Sequence, residues 1–184
     1  LQSLVFSGNN FVVQNIADST SKGIEAEAIM RPDRDLTVRL AYTYNLARYN
    51  RSNDFTGTPL AGQEGRQFTN QPKSVITGSL TWNPALTDNL RAIAHVDTRF
   101  QSEVDIFGIQ PNGRAVIANP AYAIVNALLG VQTEDGKLRG ELFVNNLTGQ
   151  YFNVTGFAVP EQTGNFAGYP NEPRTYGARL RFGF

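Results

Sequence analysis

Arg174-Thr-Tyr-Gly-Ala-Arg-Leu-Arg-Phe-Gly-Phe184 closes the sequence, and its alternation points to the architecture. Successive side chains of an extended strand project to opposite faces. Tyr176, Ala178, Leu180, Phe182 and Phe184 therefore share one face, and Thr175, Gly177, Arg179, Arg181 and Gly183 share the other. The first face is apolar and aromatic. The second is cationic or small.

The same alternation recurs along the chain. Ile24, Ala26, Ala28 and Met30 alternate with Gly23, Glu25, Glu27 and Ile29. Leu36, Val38, Leu40, Tyr42, Tyr44 and Leu46 alternate with Thr37, Arg39, Ala41, Thr43, Asn45 and Ala47. Further runs follow at Val75–Trp82, Leu90–Phe100 and Leu138–Asn145, whereas Tyr122–Gln132 is apolar on both faces apart from Asn126. A sustained period of two marks strands, and helical spacing competes nowhere. The runs predict about eight strands. They are Leu1–Phe6, turned by Gly8-Asn9-Asn10; Phe11–Met30, irregular near Ala17–Ser21; Leu36–Tyr49; Lys73–Trp82; Leu90–Gln101; Tyr122–Thr133; Leu138–Leu147; and Arg174–Phe184.

The connections alternate in length. Arg31–Asp35, Asn83–Asn89 and Thr133–Lys137 are short, and the last contains Asp135-Gly136, a pair suited to the positive φ of a tight turn. Asn50–Pro72, Ser102–Asn119 and Gly149–Glu172 are polar and run to roughly 20 residues each, against an ordinary connection of about 4–6. Short turns alternating with long loops, on strands with one apolar face, predict an all-β, antiparallel transmembrane barrel segment whose apolar face meets lipid. Trp82, Phe182 and Phe184 fall near the short-turn side, and Tyr44, Tyr49, Phe100 and Tyr151 near the long-loop side, as interfacial aromatic girdles do.

Composition narrows the classes. Sixteen basic residues balance sixteen acidic ones in 184, which removes an electrostatic case for nucleic acid. No stretch offers the roughly 20 apolar residues of a spanning helix. Cysteine is absent and His95 is the single histidine, leaving no thiolate chemistry and only scattered carboxylates for a metal. No phosphate-cradling glycine loop is present. No cofactor or metal is expected. The sequence begins at Leu1 without a targeting segment, which reads as a mature, truncated or excised piece.

At four places the residues resemble the C-terminal portion of TonB-dependent outer-membrane receptors. Ser21-Lys-Gly-Ile-Glu-Ala-Glu-Ala28, with its following turn at Pro32, is similar to the family's descending strand, and Leu40-Ala-Tyr-Thr-Tyr44 to the ascending one. Val144-Asn-Asn-Leu-Thr-Gly-Gln-Tyr-Phe152 resembles the segment before the last loop, and Gly168-Tyr-Pro-Asn-Glu-Pro-Arg-Thr175 the closing motif. The resemblance implies a bacterial outer-membrane protein for active uptake of a scarce nutrient, often a ferric siderophore, energised by the inner-membrane TonB complex. It implies a 22-stranded barrel filled by an N-terminal plug. Residues 1–184 would then be the C-terminal part of that barrel, with plug and earlier strands absent. Its partners would be outer-membrane lipid, the assembly machinery reading Tyr176, Leu180, Phe182 and Phe184, the missing plug, TonB, and a small-molecule ligand. Siderophore, haem, cobalamin and oligosaccharide all remain open.

On this reading Glu25, Glu27, Arg39, Arg91, His95, Asp97, Arg99, Arg139 and Glu141 face a lumen, along with Arg179 and Arg181. Such charges suit a wide aqueous bore and are costly inside a narrow barrel of eight strands. The piece is therefore expected to form an open, curved sheet with Leu1–Phe6 and Arg174–Phe184 as free edges. The alternatives are a self-standing eight-stranded structural or adhesive protein, an outer-membrane hydrolase and a soluble β-sandwich. The hydrolase would use Ser79, His95 and Asp97, but no Gly-x-Ser-x-Gly elbow is present and no catalytic residue is assigned. Glu25 and Glu27 are expected to pair with the neighbouring strand, for instance with Arg39. Loops on a rigid scaffold carry binding residues, so Arg66, Phe68, Tyr151, Phe157 and Tyr169 are the candidate ligand contacts.

Overall fold

A computed structural model describes residues 2–7, 10–15, 18–56, 61–110 and 112–183, with side chains from residue 18 onward. The strands are β1 (Gln2–Ser7), β2 (Asn10–Asn15), β3 (Ser19–Asp33), β4 (Leu36–Tyr49), β5 (Ser74–Trp82), β6 (Ala85–Thr87), β7 (Leu90–Gln101), β8 (Val104–Ile109), β9 (Ala115–Asn119), β10 (Tyr122–Thr133), β11 (Leu138–Asn145), β12 (Asn153–Ala158), β13 (Phe166–Pro170) and β14 (Thr175–Phe182).

The main sheet runs β14-β11-β10-β7-β5-β4-β3, with β6 added to β7. Every pairing is antiparallel. The sheet is open: β3 and β14 are its edges and do not pair with each other. Seven strands lie on the path, so the two edge strands run in the same direction. Joining them directly would make a parallel pair, whereas bacterial outer-membrane barrels are antiparallel with even strand number. Closure therefore needs an odd number of further strands between these edges.

The edge differs from the sequence expectation. Instead of one strand over Phe11–Met30, β2 pairs with β1 in a separate two-stranded sheet, and β3 alone forms the edge. Ile16 and Ala17, near the expected irregularity, lie outside the described residues, as do Leu1, the Gly8-Asn9 part of the first turn, and Phe184. At its other end β3 continues through Pro32 to Asp33 by means of a bulge. Proline is tolerated there because an edge strand leaves one side of its backbone unpaired.

Register turns the alternation into two continuous faces. Met30, Val38, Leu80, Val96, Ala127, Val144 and Tyr176 stand opposite one another from edge to edge. So do Leu36, Trp82, Ala94, Leu129, Leu142 and Ala178. The opposite face carries Ile29, Arg39, Ser79, Asp97 and Asn126 in one row and Glu27, Ala41, Thr77, Arg99 and Ile124 in the next. A slip of one residue would move all of these to the wrong side.

Two of the three long connections contain hairpins of their own, β8–β9 and β12–β13. Most buried apolar side chains among the described residues gather at that end of the sheet: Ala47, Tyr49, Phe55, Val104, Ile106 and Tyr122, with Ile93 apart on β7. Phe55 and Phe68 both pack on Tyr49, with ring centroids 5.3 and 4.5 Å away. The two hairpins meet at Gly156, where a Cβ would lie 2.6 Å from Ile117 Cδ1 and 2.9 Å from Phe107 Cβ, so a side chain there would force the contact to shift. Asn119 fastens the contact, since its Nδ2 donates to Asn153 O at 2.8 Å and its Oδ1 accepts from Asn153 N at 2.9 Å.

The short-turn end is held differently. Arg91 donates to Asp35 Oδ1 and to Asn83 O and lies 3.8 Å from Glu134 Oε1, so one guanidinium joins three turns. In the third turn Gly136 supplies the positive φ expected of it, 70°. Asp135 Oδ1 accepts from Thr133 Oγ1 at 2.6 Å and from Lys137 N at 3.1 Å. These bonds, the Thr133 hydroxyl first, hold its carboxyl below the usual carboxylate pKa.

Candidate functional site

Part of the polar face, around β7, β10, β11 and β14, is a band of partnered polar and charged groups. Glu141 is buried beneath two arginines: Arg139 Nε donates to its Oε1 at 2.6 Å, and Arg179 Nη1 lies 3.5 Å from its Oε2. Its side chain is 1% exposed. The fit depends on Gly130 on the facing strand, where a Cβ would lie 2.4 Å from Gly140 O and 3.2 Å from Glu141 Cγ. Arg179 also stacks over the Phe143 ring at 5.3 Å. Arg99 donates to Gln101 on its own strand.

His95 belongs to a polar line that runs across β5, β7 and β10 to Asn146, just past the end of β11. Its Nδ1 is 2.7 Å from Thr81 Oγ1, and its Nε2 is 3.7 Å from Asp97 Oδ2. Asn126 Nδ2 donates to Asp97 at 2.9 Å, and Asn126 Oδ1 accepts from Asn146 N at 2.9 Å. Ser79 stands opposite Asp97 and makes no hydrogen bond to His95 among the described residues. Thr81 occupies the place the hydrolase reading gave to a serine. No group of three His, Asp or Glu able to hold a metal ion forms among the described residues.

Asn146 explains the Asn-Leu segment singled out in the sequence. It is buried, adopts φ 51°, and closes its own turn by accepting from Gln150 N and donating to Gln150 O, both at 2.8 Å. Asparagine tolerates this left-handed backbone because its amide can bond locally.

Glu25, Glu27 and Arg39 share the polar face, yet none forms an ion pair among the described residues. The expected link to Arg39 does not form because register sets Arg39 against Ile29, Glu27 against Ala41 and Glu25 against Thr43. Glu25 and Glu27 occupy the open edge strand and have no neighbour on one side.

The five candidate loop residues fall into separate groups. Arg66 and Phe68 line an open cleft of about 530 Å³ between the 61–73 segment and the β8–β9 hairpin. The segment is tied to the top of β4 by Tyr49 N donating to Arg66 O and Phe68 N donating to Ala47 O. Arg66 Nη2 meets Asp105 Oδ2 at 2.9 Å and Nη1 donates to Gly113 O at 2.8 Å, while its buried Nε has no hydrogen-bond partner among the described residues. Lys73 and Arg114 line the same cleft, with Glu103 and Asp105 as its acids. Their spacing in sequence carried no signal of this meeting, which the hairpin produces. Phe157 and Tyr169 stack on the other hairpin at 5.4 Å, and Tyr151 projects into solvent at 67% exposure. Tyr176, Leu180 and Phe182 lie exposed on the apolar face of the edge strand β14.

An antiparallel wall with one apolar face, one charged face and structured connections at one end is the architecture of outer-membrane-type barrels. Residues 1–147 match the family described as TonB dependent receptor-like, beta-barrel, and the chain belongs to that family. Among solved structures it resembles the ferric yersiniabactin uptake receptor FyuA from Yersinia pestis, with 16% identity and TM-score 0.77 over 94% of this chain and 25% of that one. The ferric-catecholate import receptor Fiu from K12 E. coli matches at 17% identity and TM-score 0.64, over 96% of this chain and 22% of its own. The siderophore receptor PiuA from Acinetobacter baumannii gives 17% and 0.65, over 98% and 24%. The chain thus spans about a quarter of the length of these structures. No curated protein matches it.

Proposed function

We propose that this chain forms the C-terminal part of the barrel of a bacterial outer-membrane receptor that imports a scarce nutrient, a ferric chelate of the siderophore class. The observation that carries the proposal is the register, which gathers the apolar side chains of seven strands on one face, in rows such as Met30, Val38, Leu80, Val96, Ala127, Val144 and Tyr176. The apolar face meets lipid. The opposite face, with Glu25, Glu27, Arg39, Arg91, His95, Asp97, Arg99, Arg139 and Glu141, lines the aqueous bore and meets a plug carried elsewhere in the receptor. Tyr176, Leu180, Phe182 and Phe184 form the signal read by the outer-membrane assembly machinery. Energy comes from the inner-membrane TonB complex. Arg66 and Phe68 contact the ligand at the cleft, and Tyr151, Phe157 and Tyr169 contact it from the second hairpin. Cations beside aromatic rings suit an anionic, ring-bearing chelate.

The test is uptake of radiolabelled ferric siderophores by iron-starved cells. Deletion of the receptor gene should abolish uptake of one chelate, and the gene supplied in trans should restore it. The Arg66→Ala variant should lower uptake about tenfold, the loss of a charge-assisted contact, with unchanged receptor in the outer membrane. Uptake of every chelate at wild-type rates in the deletion strain would refute the transport role.

A further inference from the structure

The apolar stripes of β3 and β4 do not simply end at the long-connection side. On β3 the stripe Met30, Ala28, Ala26, Ile24 continues on the same face to Lys22 and Thr20. On β4 the stripe Leu40, Tyr42, Tyr44, Leu46 continues to Arg48. Register sets Lys22 opposite Leu46 and Thr20 opposite Arg48. At a strand rise of about 3.4 Å per residue, Lys22 stands roughly 7 Å beyond Ile24 and Arg48 roughly 14 Å beyond Tyr44. Arg51 completes the group from the following turn. These side chains line a pocket of about 320 Å³, to which no carboxylate contributes among the described residues.

Arg48 and Gly65 line both this pocket and the cleft at Arg66, but three properties set the pocket apart. Lys22, Arg48 and Arg51 form no ion pair among the described residues, whereas Arg66 is engaged by Asp105. Arg51 is held in place: its stem lies across Gly65, where a Cβ would come 2.7 Å from Arg51 Cγ. The third property is position, since the cations crown an exposed apolar face on which Ile24 is 67% and Leu40 48% exposed.

Cations gathered without counter-charge favour a multiply charged anion, and arginine and lysine together suit phosphate. A soluble anion would need no apolar approach. An occupant with a phosphate head and hydrocarbon tails uses both features, its tails lying along Ile24, Leu40 and Tyr42 and its head among the cations. We infer that Lys22, Arg48 and Arg51 form a headgroup site for a phosphate-bearing membrane lipid on the outer wall of the receptor. The site rests on the proposal above that the apolar face meets lipid.

The experiment uses the full receptor, as wild type and as the triple variant Lys22→Gln/Arg48→Gln/Arg51→Gln. Flotation with pure phosphatidylcholine vesicles reports the apolar face alone, and both proteins should float. Each is then extracted by mild detergent from phosphatidylcholine vesicles holding a minority of phosphatidic acid, and co-purified lipid is counted by native mass spectrometry. The wild type should enrich phosphatidic acid about tenfold over the bulk mixture, and the triple variant should retain the bulk ratio. Lys22→Arg, which keeps the charge, should behave as wild type. Floating protein with no enrichment, or equal enrichment in the triple variant, overturns the lipid site and leaves the membrane proposal standing. Displacement of phosphatidic acid by millimolar inorganic phosphate makes the pocket a free-anion site and also overturns it. If neither protein floats, the membrane proposal falls and the site with it.

Discussion

Leu142, within β11, is 66% exposed, whereas Phe55, in the connection after β4, is 1% exposed. The pair captures how the wall differs from the outer rim. In the wall, large apolar side chains face outward: Tyr176 is 83%, Phe182 65% and Leu129 64% exposed. The polar face opposite carries charges, of which Glu141, Arg139 and Arg179 are paired. In the rim around Tyr49, aromatic rings cluster inward, as in a water-soluble domain, although Tyr151 and Tyr169 stay exposed. The hydrophobic effect drives apolar surface away from water in both regions. The wall satisfies it only when hydrocarbon surrounds the sheet, and the rim satisfies it by itself.

This contrast breaks most sharply at Phe55. Phe55→Ala should remove about 3–5 kcal/mol of local stability, the usual cost of emptying an aromatic core site. Hydrogen exchange should speed up in residues 47–68 and leave β10, β11 and β14 unchanged. Equal loosening of the wall would show that the two regions are one cooperative unit.

Leu142→Arg tests the wall. A cation on a lipid-facing strand costs about 2–4 kcal/mol near the bilayer centre. Urea titration of the receptor refolded in vesicles should show that loss. Thr43→Arg, on the opposite face beside Glu25, should change stability by no more than about 0.5 kcal/mol. Similar losses for both would mean that the two faces meet similar surroundings.

Arg91→Ala sharpens the comparison at the short-turn end, which lacks the aromatic cluster of the rim. Removing the guanidinium from Asp35, Asn83 and Glu134 should cost about 1–3 kcal/mol in the same titration. The smallest effect is expected at Asp135. Its folded pKa lies below the reference 3.8, so its contribution is present above the ordinary carboxylate range and is lost as pH falls through the lowered value. Carbon-detected NMR titration of Asp135 in wild type and Thr133→Val should show the midpoint return toward 3.8 in the variant. An unchanged midpoint would remove the Thr133 hydroxyl as the main cause.

Much of the wall could be read in the sequence because a strand's two faces differ at neighbouring positions. The runs at Leu36–Tyr49, Leu90–Gln101 and Tyr122–Thr133 coincide with β4, β7 and β10. The hairpins β8–β9 and β12–β13 were hidden inside what looked like loops, since each has only five or six residues per strand. Runs that short, interrupted by glycines such as Gly108 and Gly156, carry little periodic signal. Among the candidate loop residues, Arg66 and Phe68 do share a cleft, but Asp105 and Arg114, which complete it, come from a hairpin about forty residues away in sequence.

The sequence by itself determined the period, and the period assigned each side chain to one of two faces, because a strand leaves no third choice. Which residues became neighbours was decided by the tertiary structure. Register placed Arg39 directly opposite Ile29, with Glu27 one row away and unpaired among the described residues, and it set Glu141 between Arg139 and Arg179. It also brought Lys22, Arg48 and Arg51 around one pocket. Alternation is a local property of the backbone, whereas pairing partners depend on hydrogen bonds between strands far apart in the chain.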